Sequence, residues 1–430
     1  MSALIENFIR FLNRSPTSWH AAKEIANRLA EADFTPLKES DRWVLERGKG
    51  YFVVRDDAAL CAFRLPKATV QQAIILASHL DSPGLKLKPC PDIARPRLSQ
   101  FGTEVYGTPL LHTWLDRDLC LAGRVLVQTG SSIESHLVRL DDYPMTIPSL
   151  AYHLDRDIAI TGLFLNKQEH LNPIASIQHS NNHPATVESL LHKHLSFEKL
   201  ISFDLFLVPL EKASFVGAQS NLIAASRLDN LTSAYASLYA MLGSEIRAHA
   251  LQLAIFWDHE EIGSKSYLGA ESFFVNQVIE RICHQEKIDQ EDYYRLKSRS
   301  YCVSIDLAHG FNPNYPDKYD PLNSCYLGDG VVLKTNAMMR YATSAKTAAP
   351  LIQLCQEKGW TLQKNAFRSD IPSGSTVGSI MGAIAGFPTV DIGISGWAMH
   401  SIRETISAQD EIALCELLKA LLNRTHASEE

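Results

Sequence analysis

Two histidines and several carboxylates stand shortly after short apolar runs or just before a helical pattern in this 430-residue chain. In chain order they are His79 with Asp81, Asp229, Asp258 to Glu261, Asp306 and His400. Carboxylates placed close together repel one another unless they are protonated or bound to cations. Mixed nitrogen and oxygen ligands suit Zn²⁺, with Mn²⁺ and Co²⁺ as competitors. The residue types therefore indicate a metal site rather than a simple proton relay.

The Glu260-Glu261 doublet is expected to serve two purposes. Neighbouring side chains in extended backbone point in different directions. One carboxylate can then bind metal while the other acts as general base on a metal-held water. Asp81, two residues after His79, can reach the far ring nitrogen and fix the tautomer and orientation of the imidazole.

Taken singly, each of these residues has an ordinary structural explanation. A lone histidine such as His79 or His400 is more often structural or exposed than a ligand. Asp229 before a helix favours an N-cap, and Asp306 after a strand favours a turn. These explanations weaken together because four strand ends and one helix start each offer ligand-type residues.

The surrounding apolar patterns predict strands that alternate with helices. Strands are expected at residues 73–77, 251–257, 301–305 and 389–394, and helices at 15–34, around 231–238, at 347–358 and at 409–423. Alternation of this kind predicts a three-layer α/β domain, with helices on both faces of a central mixed, mainly parallel β-sheet. Active sites of such sheets lie outside the carboxyl ends of the strands, where the candidate residues would meet.

The stretch from about Pro89 to Phe215 has a different pattern. It contains short β-like runs, Leu121–Val127 and Phe203–Val208, with many turns and no long amphipathic helix. We predict an inserted β-rich domain at residues 91–215. It would separate the two parts of the catalytic domain, residues 1–90 and 216–430.

Composition narrows the class of protein. Hydrophobic residues make up 46% and charged residues 21%, and the net charge of -7 gives no general attraction to nucleic acid or to an anionic membrane. Eight cysteines without a CxxC pair argue against thiolate zinc knuckles and a thioredoxin-type motif. No signal-peptide pattern and no run of about 18 apolar residues is present. We therefore expect a cytoplasmic protein with neither nucleic acid nor membrane as partner.

Seven motifs, in this order, resemble the aspartyl aminopeptidase family of co-catalytic zinc aminopeptidases over nearly the whole chain. They are Ser78–Leu85, Trp114–Arg124, Ser226–Asn230, Asp258–Ser264, Asp306–His309, Ser373–Thr376 and Ala398–Glu404. Any one motif is only suggestive, but the ordered set is specific. The resemblance implies a catalytic α/β domain interrupted by a β-rich insert. It also implies hydrolytic removal of the N-terminal residue from peptides with a free amine.

The resemblance also implies the roles of the candidate residues. It implies two Zn²⁺ ions held by His79, Asp229, Glu261, Asp306 and His400, with Asp229 bridging. His79 and Asp306 would complete one ion, and Glu261 and His400 the other. Glu260 would be the general base that deprotonates a water held by the ions, and Asp81 would orient His79.

Two further positions match substrate-binding residues of the family. Lys334, within Val332–Asn336, matches a lysine that reads an acidic N-terminal side chain, and Tyr341 matches a substrate-contacting tyrosine. An ammonium in a partly closed pocket favours Asp or Glu over an apolar residue. A surface lysine on a strand is the structural alternative. The apolar stretch Thr335–Met339 leaves a broad or neutral specificity open.

The family's inserted domain drives assembly into dimers and a tetrahedral dodecamer, so the resemblance implies a dimer-based homo-oligomer. His153 matches a histidine that this domain supplies to a neighbour's active site; an ordinary strand or loop histidine is the alternative. A related di-metal deacylase or amidase stays open, because two metals and a base serve many hydrolyses. A catalytically idle scaffold is disfavoured because no ligand or base is missing.

Overall fold

The computed structural model describes residues 2–177 and 184–424, and the chain divides into two compact units. The first unit comprises Met1–Asp81, Ser214–Met399 and Glu404–Glu430, and the second comprises Ser82–Ala213 and His400–Arg403. The chain therefore leaves the first unit after Asp81, returns at Ser214, and contributes His400 to the second unit near its end.

Helices and strands alternate along the described residues. The helices are α1 (Ala3–Arg14), α2 (Ser18–Glu31), α3 (Ile158–Thr161), α4 (Val187–Leu191), α5 (Leu228–Gly243), α6 (Phe274–Gln285), α7 (Gln290–Arg299), α8 (Ala345–Lys358), α9 (Val377–Ile380) and α10 (Ala408–Asn423). The strands of the first part of the chain are β1 (Thr35–Leu37), β2 (Gly50–Arg55), β3 (Ala59–Arg64), β4 (Gln72–His79), β5 (Gly84–Arg95), β6 (Leu98–Tyr106), β7 (Leu119–Thr129), β8 (Ser132–Arg139), β9 (Ile174–Ile177) and β10 (Lys199–Pro209). Those of the second part are β11 (Ser214–Val216), β12 (Leu222–Ala225), β13 (Ala250–Trp257), β14 (Tyr301–Ile305), β15 (Ala308–His309), β16 (Val331–Lys334), β17 (Leu362–Asn365), β18 (Thr389–Trp397) and β19 (Glu404–Ser407).

The first unit is built on a 13-stranded mixed sheet. Its main path runs β1-β2-β3-β13-β4-β14-β18-β19-β12-β11, and β15, β16 and β17 join it near β18. The central strands β13, β4, β14 and β18 are parallel to one another. Every residue of β4 and β13 is buried, as expected for strands covered on both faces. The predicted α/β class, with a central mixed, mainly parallel sheet, is confirmed.

Helix ends in this unit follow from local sequence. Helix α2 starts later than the predicted residue 15, because Thr17 is still extended. Helix α8 begins with a capping box between Ser344 and Thr347. It ends at Gly359, whose φ of +66° suits a glycine at the end of a helix.

The second unit contains a six-stranded antiparallel sheet in the order β8-β7-β10-β5-β6-β9. Its buried cluster includes Phe101, Trp114 and Leu205. Gly123 in β7 has φ +152°, and a Cβ there would collide with the carbonyl oxygen of Asp204 on the paired strand. Its described helices, α3 and α4, have four and five residues, so the predicted lack of a long amphipathic helix holds for the described part.

A stretch of the second unit between β8 and β9 exposes large apolar side chains. Tyr152, Leu154, Ile160 and Phe164 are 60–86% exposed. We call residues 150–164 the exposed apolar segment. Single exposed apolar side chains are ordinary, but a cluster of this size within fifteen residues is typical of an interaction surface.

The state of the cysteines and the character of the helices also bear on the class of protein. All eight cysteines carry free thiols, and all but Cys90 are buried. Among the described helices, none combines the length and apolar character needed to cross a membrane.

Candidate metal and active site

Three parallel strands of the first unit deliver chemistry-bearing residues to one sheet edge. His79 is the last residue of β4 and lies opposite Trp257, the last residue of β13. Asp306 directly follows β14, which pairs with the other side of β4. Because parallel strands end at the same edge, residues more than 200 positions apart in sequence become neighbours.

His79 lies at the centre of this group and is 1% exposed. Its Nε2 atom is 3.5 Å from Asp229 Oδ1 and 3.8 Å from Asp306 Oδ1. Glu260 Oε2 is 3.9 Å from the same nitrogen. On the other side of the ring, Nδ1 is 3.3 Å from Asp81 Oδ1 and 3.1 Å from the Asp81 carbonyl oxygen. The imidazole therefore presents Nε2 to three carboxylates while Asp81 faces Nδ1.

Asp229 lies at the start of α5, where its backbone (φ -80°, ψ 105°) and that of Asn230 interrupt the helical conformation. The N-cap residue is Arg227, with φ +63°, and its side chain makes no capping hydrogen bond. The Asp229 backbone N–H instead donates to Glu404 Oε2 at 3.1 Å. Asn230 Nδ2 donates to the Ile305 carbonyl at 2.8 Å. The Asp229 carboxylate oxygen Oδ1 lies 3.5 Å from His79 Nε2, a contact that an N-cap role alone does not explain.

Glu260 and Glu261 begin a single 3₁₀ turn, Glu260–Ile262, bounded by positive φ angles at His259 and Gly263. The expectation of extended backbone for this doublet is wrong. The Asp81 carboxylate accepts the backbone N–H of Glu260 on one oxygen and that of Glu261 on the other, both at 3.1 Å. Asp81 thus orients both the imidazole and the turn that carries the two glutamates.

The environment favours protonation of the glutamates and of His79. The pKa of Glu260 is raised to about 8, chiefly by burial; His79 opposes the shift, and the neighbouring carboxylates add to it. Burial, followed by the nearby Asp229, holds the pKa of Glu261 well above its usual range. Burial alone lowers the pKa of His79, but hydrogen bonding to Asp229, Asp306 and Asp81 outweighs it and holds the pKa well above 6.5. A cation placed among these groups would therefore displace protons.

Lys334 and Tyr341 lie beside this cluster. Lys334, at the end of β16, is 3% exposed, so the surface-lysine alternative is wrong. Its ammonium donates to the carbonyls of Asp306 and Leu307 at 3.2 and 3.1 Å and lies 3.9 Å from Asp306 Oδ2. The Tyr341 ring centroid is 4.8 Å from Lys334 Nζ. Burial lowers the pKa of Lys334, but Asp306 and other anions outweigh that effect and leave it raised.

The two remaining predicted site residues belong to the second unit. His400 follows the end of β18 by three residues. Its Nδ1 lies 3.0 Å from both the hydroxyl and the carbonyl oxygen of Thr108, and its own carbonyl accepts the Leu110 N–H at 2.9 Å. His153 is exposed in the 3₁₀ turn Tyr152–Leu154 within the exposed apolar segment.

Two buried acids that support the site were given no role by the sequence. Glu404 ends a quoted motif and binds the Asp229 amide. Asp391 is fully buried in β18 and accepts hydrogen bonds from the Thr376 hydroxyl and the Ala342 N–H, each at 2.5 Å. It thereby joins the segment after Tyr341 to the start of α9. The sequence did contain a signal for Asp391, because it is an acidic residue inside the otherwise apolar run 389–394.

The donor set fits a zinc ion. A tetrahedral Zn²⁺ with bonds of about 2.1 Å holds its ligand atoms about 3.4 Å apart. The distances of 3.5 and 3.8 Å from His79 Nε2 to Asp229 and Asp306 are close to this value. The ligand atoms of His79, Asp229 and Asp306 lie within 4.8 Å of one another, as do those of His79, Glu260 and Glu261. One imidazole nitrogen and several carboxylate oxygens are the ligands that Zn²⁺ accepts.

Comparisons with known proteins agree with this chemistry. Residues 11–422 match the family model described as Aminopeptidase I zinc metalloprotease (M18). A probable M18 family aminopeptidase 2 from Ectopseudomonas mendocina (strain ymp) is 39% identical over 425 residues, which cover 97% of each chain. A chain in the cryo-EM structure of the Ape4 and Nbr1 complex is 31% identical, with a TM-score of 0.93, and the match covers 97% of this chain and 85% of that one. The crystal structure of an M18-family aminopeptidase from Thermotoga maritima is 25% identical, with a TM-score of 0.88 and coverage of 98% and 96%.

Zinc binding to the metal-free protein at pH 7 should release at least one proton per chain. The sign follows from the raised pKa values of Glu260, Glu261 and His79, because a cation that binds among these groups disfavours their protonated forms. Isothermal titration calorimetry in buffers of different ionisation enthalpy measures the number released, and it should fall as the pH rises toward 9. The Glu261→Gln variant should release fewer protons, and equal release from both proteins would contradict the assignment.

Proposed function

The chain belongs to the M18 family of zinc aminopeptidases, and on this premise we propose that it removes acidic N-terminal residues from peptides by using two zinc ions and Glu260 as general base. The observation that carries the proposal is the arrangement around His79 Nε2. Two carboxylates, those of Asp229 and Asp306, lie at ligand distance, and the Glu260 carboxylate lies beside them at 3.9 Å. This arrangement supplies both a metal site and a neighbouring base.

We propose that His79 and Asp306 hold one ion, that Glu261 and His400 hold the second, and that Asp229 bridges them. The short distances from His79 to Asp229 and Asp306 support the first site. For the second site, the contact of His400 Nδ1 with Thr108 would make Nε2 the ligand atom. Mn²⁺ and Co²⁺ accept the same ligand types and would be possible substitutes.

When bound, zinc supplies a Lewis acid that polarises a carbonyl and lowers the pKa of water. Glu260 would take a proton from the attacking water and return it to the leaving amine. Its pKa of about 8 in the metal-free site would fall beside cations, toward the range that suits a base near neutral pH. Asp81 would hold the proton on His79 Nδ1 and direct the Nε2 lone pair into the site, as second-layer carboxylates do for metal-bound imidazoles.

We propose that Lys334 favours a substrate with an N-terminal Asp or Glu. Two of its three N–H groups are oriented by the carbonyls of Asp306 and Leu307. The Tyr341 ring covers the same ammonium. A buried, pre-oriented ammonium attracts a carboxylate more strongly than a solvated one does.

We also propose a homo-oligomer based on dimers and forming a dodecamer, with residues 91–215 as the assembling domain between catalytic parts 1–90 and 216–430. The exposed apolar segment supports an interface in this domain. His153 would act in the active site of a neighbouring subunit. A cytoplasmic location and the lack of nucleic-acid and membrane partners stay predictions.

Replacing Glu260 should remove the base and leave the ions in place. We expect Glu260→Gln to lower kcat about 10²- to 10⁴-fold, with zinc content unchanged, because an amide cannot take the proton. Zinc analysis and rates on Asp-terminated peptides measure both quantities. Glu291→Gln, an exposed residue of α7, is the matched control. Near-normal turnover in Glu260→Gln would refute the base assignment.

The wild type in the same assay should fail on a peptide whose α-amine is acetylated. An aminopeptidase needs that amine, whereas a deacylase or amidase of the same di-metal type would cleave the blocked substrate. Cleavage of the acetylated peptide at a rate comparable to the free one would favour the amidase.

Lys334→Met should reduce discrimination between peptides that begin with Asp and with Asn. The two substrates have nearly the same shape, so the ratio of their kcat/KM values isolates the charge. We expect that ratio to fall about 10- to 100-fold, as for loss of a hydrogen bond between charged groups. A ratio unchanged from wild type would show that Lys334 does not select the substrate, and a broad specificity would then be favoured.

Sedimentation velocity should give a particle several times larger than the 47.9 kDa chain. Leu154→Glu places a charge on the exposed apolar segment and should shift the protein to smaller species. Val44→Glu is the control, because Val44 is equally exposed in the first unit. His153→Ala should keep the assembly but lower turnover. A monomeric wild type would contradict the assembly proposal, and unchanged turnover in His153→Ala would contradict the role of that histidine.

A further inference from the structure

The turn that carries Glu260 is entered through an unusual backbone conformation. His259 has φ +62° and ψ +23°, in the left-handed region that residues other than glycine rarely adopt. Two backbone hydrogen bonds close the turn behind it, from the Ser264 N–H to the His259 carbonyl and from the Gly263 N–H to the Glu260 carbonyl, each at 2.8 Å. A side chain that fixes His259 in this conformation therefore also fixes the direction in which Glu260 leaves the backbone.

The His259 ring contacts the Ser266 hydroxyl group. Its Nδ1 lies 2.8 Å from Ser266 Oγ, and the same oxygen accepts the N–H groups of Leu268 and Gly269 at 3.2 and 3.0 Å. A serine hydroxyl has two acceptor positions and one hydrogen. With both acceptor positions used by backbone donors, the hydrogen must go to His259 Nδ1. The other ring nitrogen, Nε2, is 3.6 Å from Asp258 Oδ2.

The loop that presents Ser266 is itself anchored. The Asp258 N–H donates to the Leu268 carbonyl at 3.2 Å, which joins the start of the turn to the end of the loop. The buried Arg55 guanidinium lies 4.4 Å from the Tyr267 ring centroid. Gly269 packs so closely against Ser264 that a Cβ would collide with the Ser264 carbonyl oxygen. Residues 264–269 thus form a fixed support for the imidazole.

We propose that His259 and Ser266 are positioning residues that hold Glu260 in its working orientation, an inference that rests on the proposed role of Glu260 as general base. Asp81 binds the amides of Glu260 and Glu261, and the contact between His259 and Ser266 ties the residue before Glu260 to the loop that follows the turn. Loss of the pair leaves the amides of both glutamates attached to Asp81. The change therefore acts on the orientation of Glu260 more than on zinc binding.

Four single variants test the pair on the full-length, zinc-loaded protein. His259→Ala and Ser266→Ala should each lower kcat about tenfold or more with KM within twofold, because a base displaced by about 1 Å loses much of its effect. His259→Asn should stay within threefold of wild type, since asparagine tolerates positive φ and offers an acceptor oxygen to Ser266. Lys265→Ala, an exposed residue of the same loop, is the control for general disturbance of the loop.

The same alanine changes in a Glu260→Gln background separate positioning from general damage. If His259 and Ser266 act through Glu260, each alanine change should lower kcat less than twofold in this background, because the base is already gone. Hydrogen exchange on the metal-free protein gives a readout independent of activity, and the amides of residues 260–264 should exchange faster in His259→Ala than in Lys265→Ala. Zinc affinity, from chelator competition, should stay within threefold of wild type.

Three results would overturn the proposal. The first is that His259→Ala and Ser266→Ala keep kcat within twofold of wild type. The second is that each alanine change lowers kcat by the same factor in the Glu260→Gln background as in the wild type. The third is that the variants lose enough zinc to account for their lower rates. If the wild type itself fails to cleave peptides, the proposed function fails. The exchange measurement then still decides whether the His259–Ser266 pair holds the turn.

Discussion

The concentration of negative charge at one buried sheet edge is the constraint on which this structure depends. Asp229, Asp306 and Glu260 surround His79 Nε2 at distances below 4 Å, and the group is largely withdrawn from water. Carboxylates so placed cannot all ionise without a compensating cation, because burial and mutual repulsion both favour protonation. The raised pKa values of Glu260 and Glu261 express that conflict. Zinc bound among these groups would resolve the conflict and would also supply a Lewis acid.

Backbone groups carry much of the positioning around this charge. The Asp229 amide is held by Glu404, and the amides of Glu260 and Glu261 are held by Asp81. These anionic side chains bind the peptide N–H groups of the three residues rather than their carboxylates. The carboxylate oxygens of Asp229, Glu260 and Glu261 would therefore stay available for the proposed metal-binding and base roles.

The sequence predicts the place of the site better than its local geometry. The runs before His79 and Asp306 are continuous and apolar, so their identity as buried parallel strands follows from the pattern, and the sheet edge follows from the strands. Features that depend on single dihedral angles or on tertiary contacts cannot be predicted from the pattern in this way. The positive φ of His259 leaves no signature in residue type, so the expected extended backbone of the glutamates was wrong. The burial of Lys334 likewise depends on its sheet neighbours.

The proposed role of Lys334 would link substrate selection to the metal site. Its ammonium donates to the carbonyls of Asp306 and Leu307 and lies 3.9 Å from the Asp306 carboxylate. A cation fixed there lowers the electrostatic cost of a buried ligand carboxylate, and it is also the group proposed to attract an acidic substrate. The two roles draw on the same charge. A substrate carboxylate that approaches Lys334 would weaken its attraction for Asp306, so acidic specificity and the electron donation of one zinc ligand would not be independent in this fold.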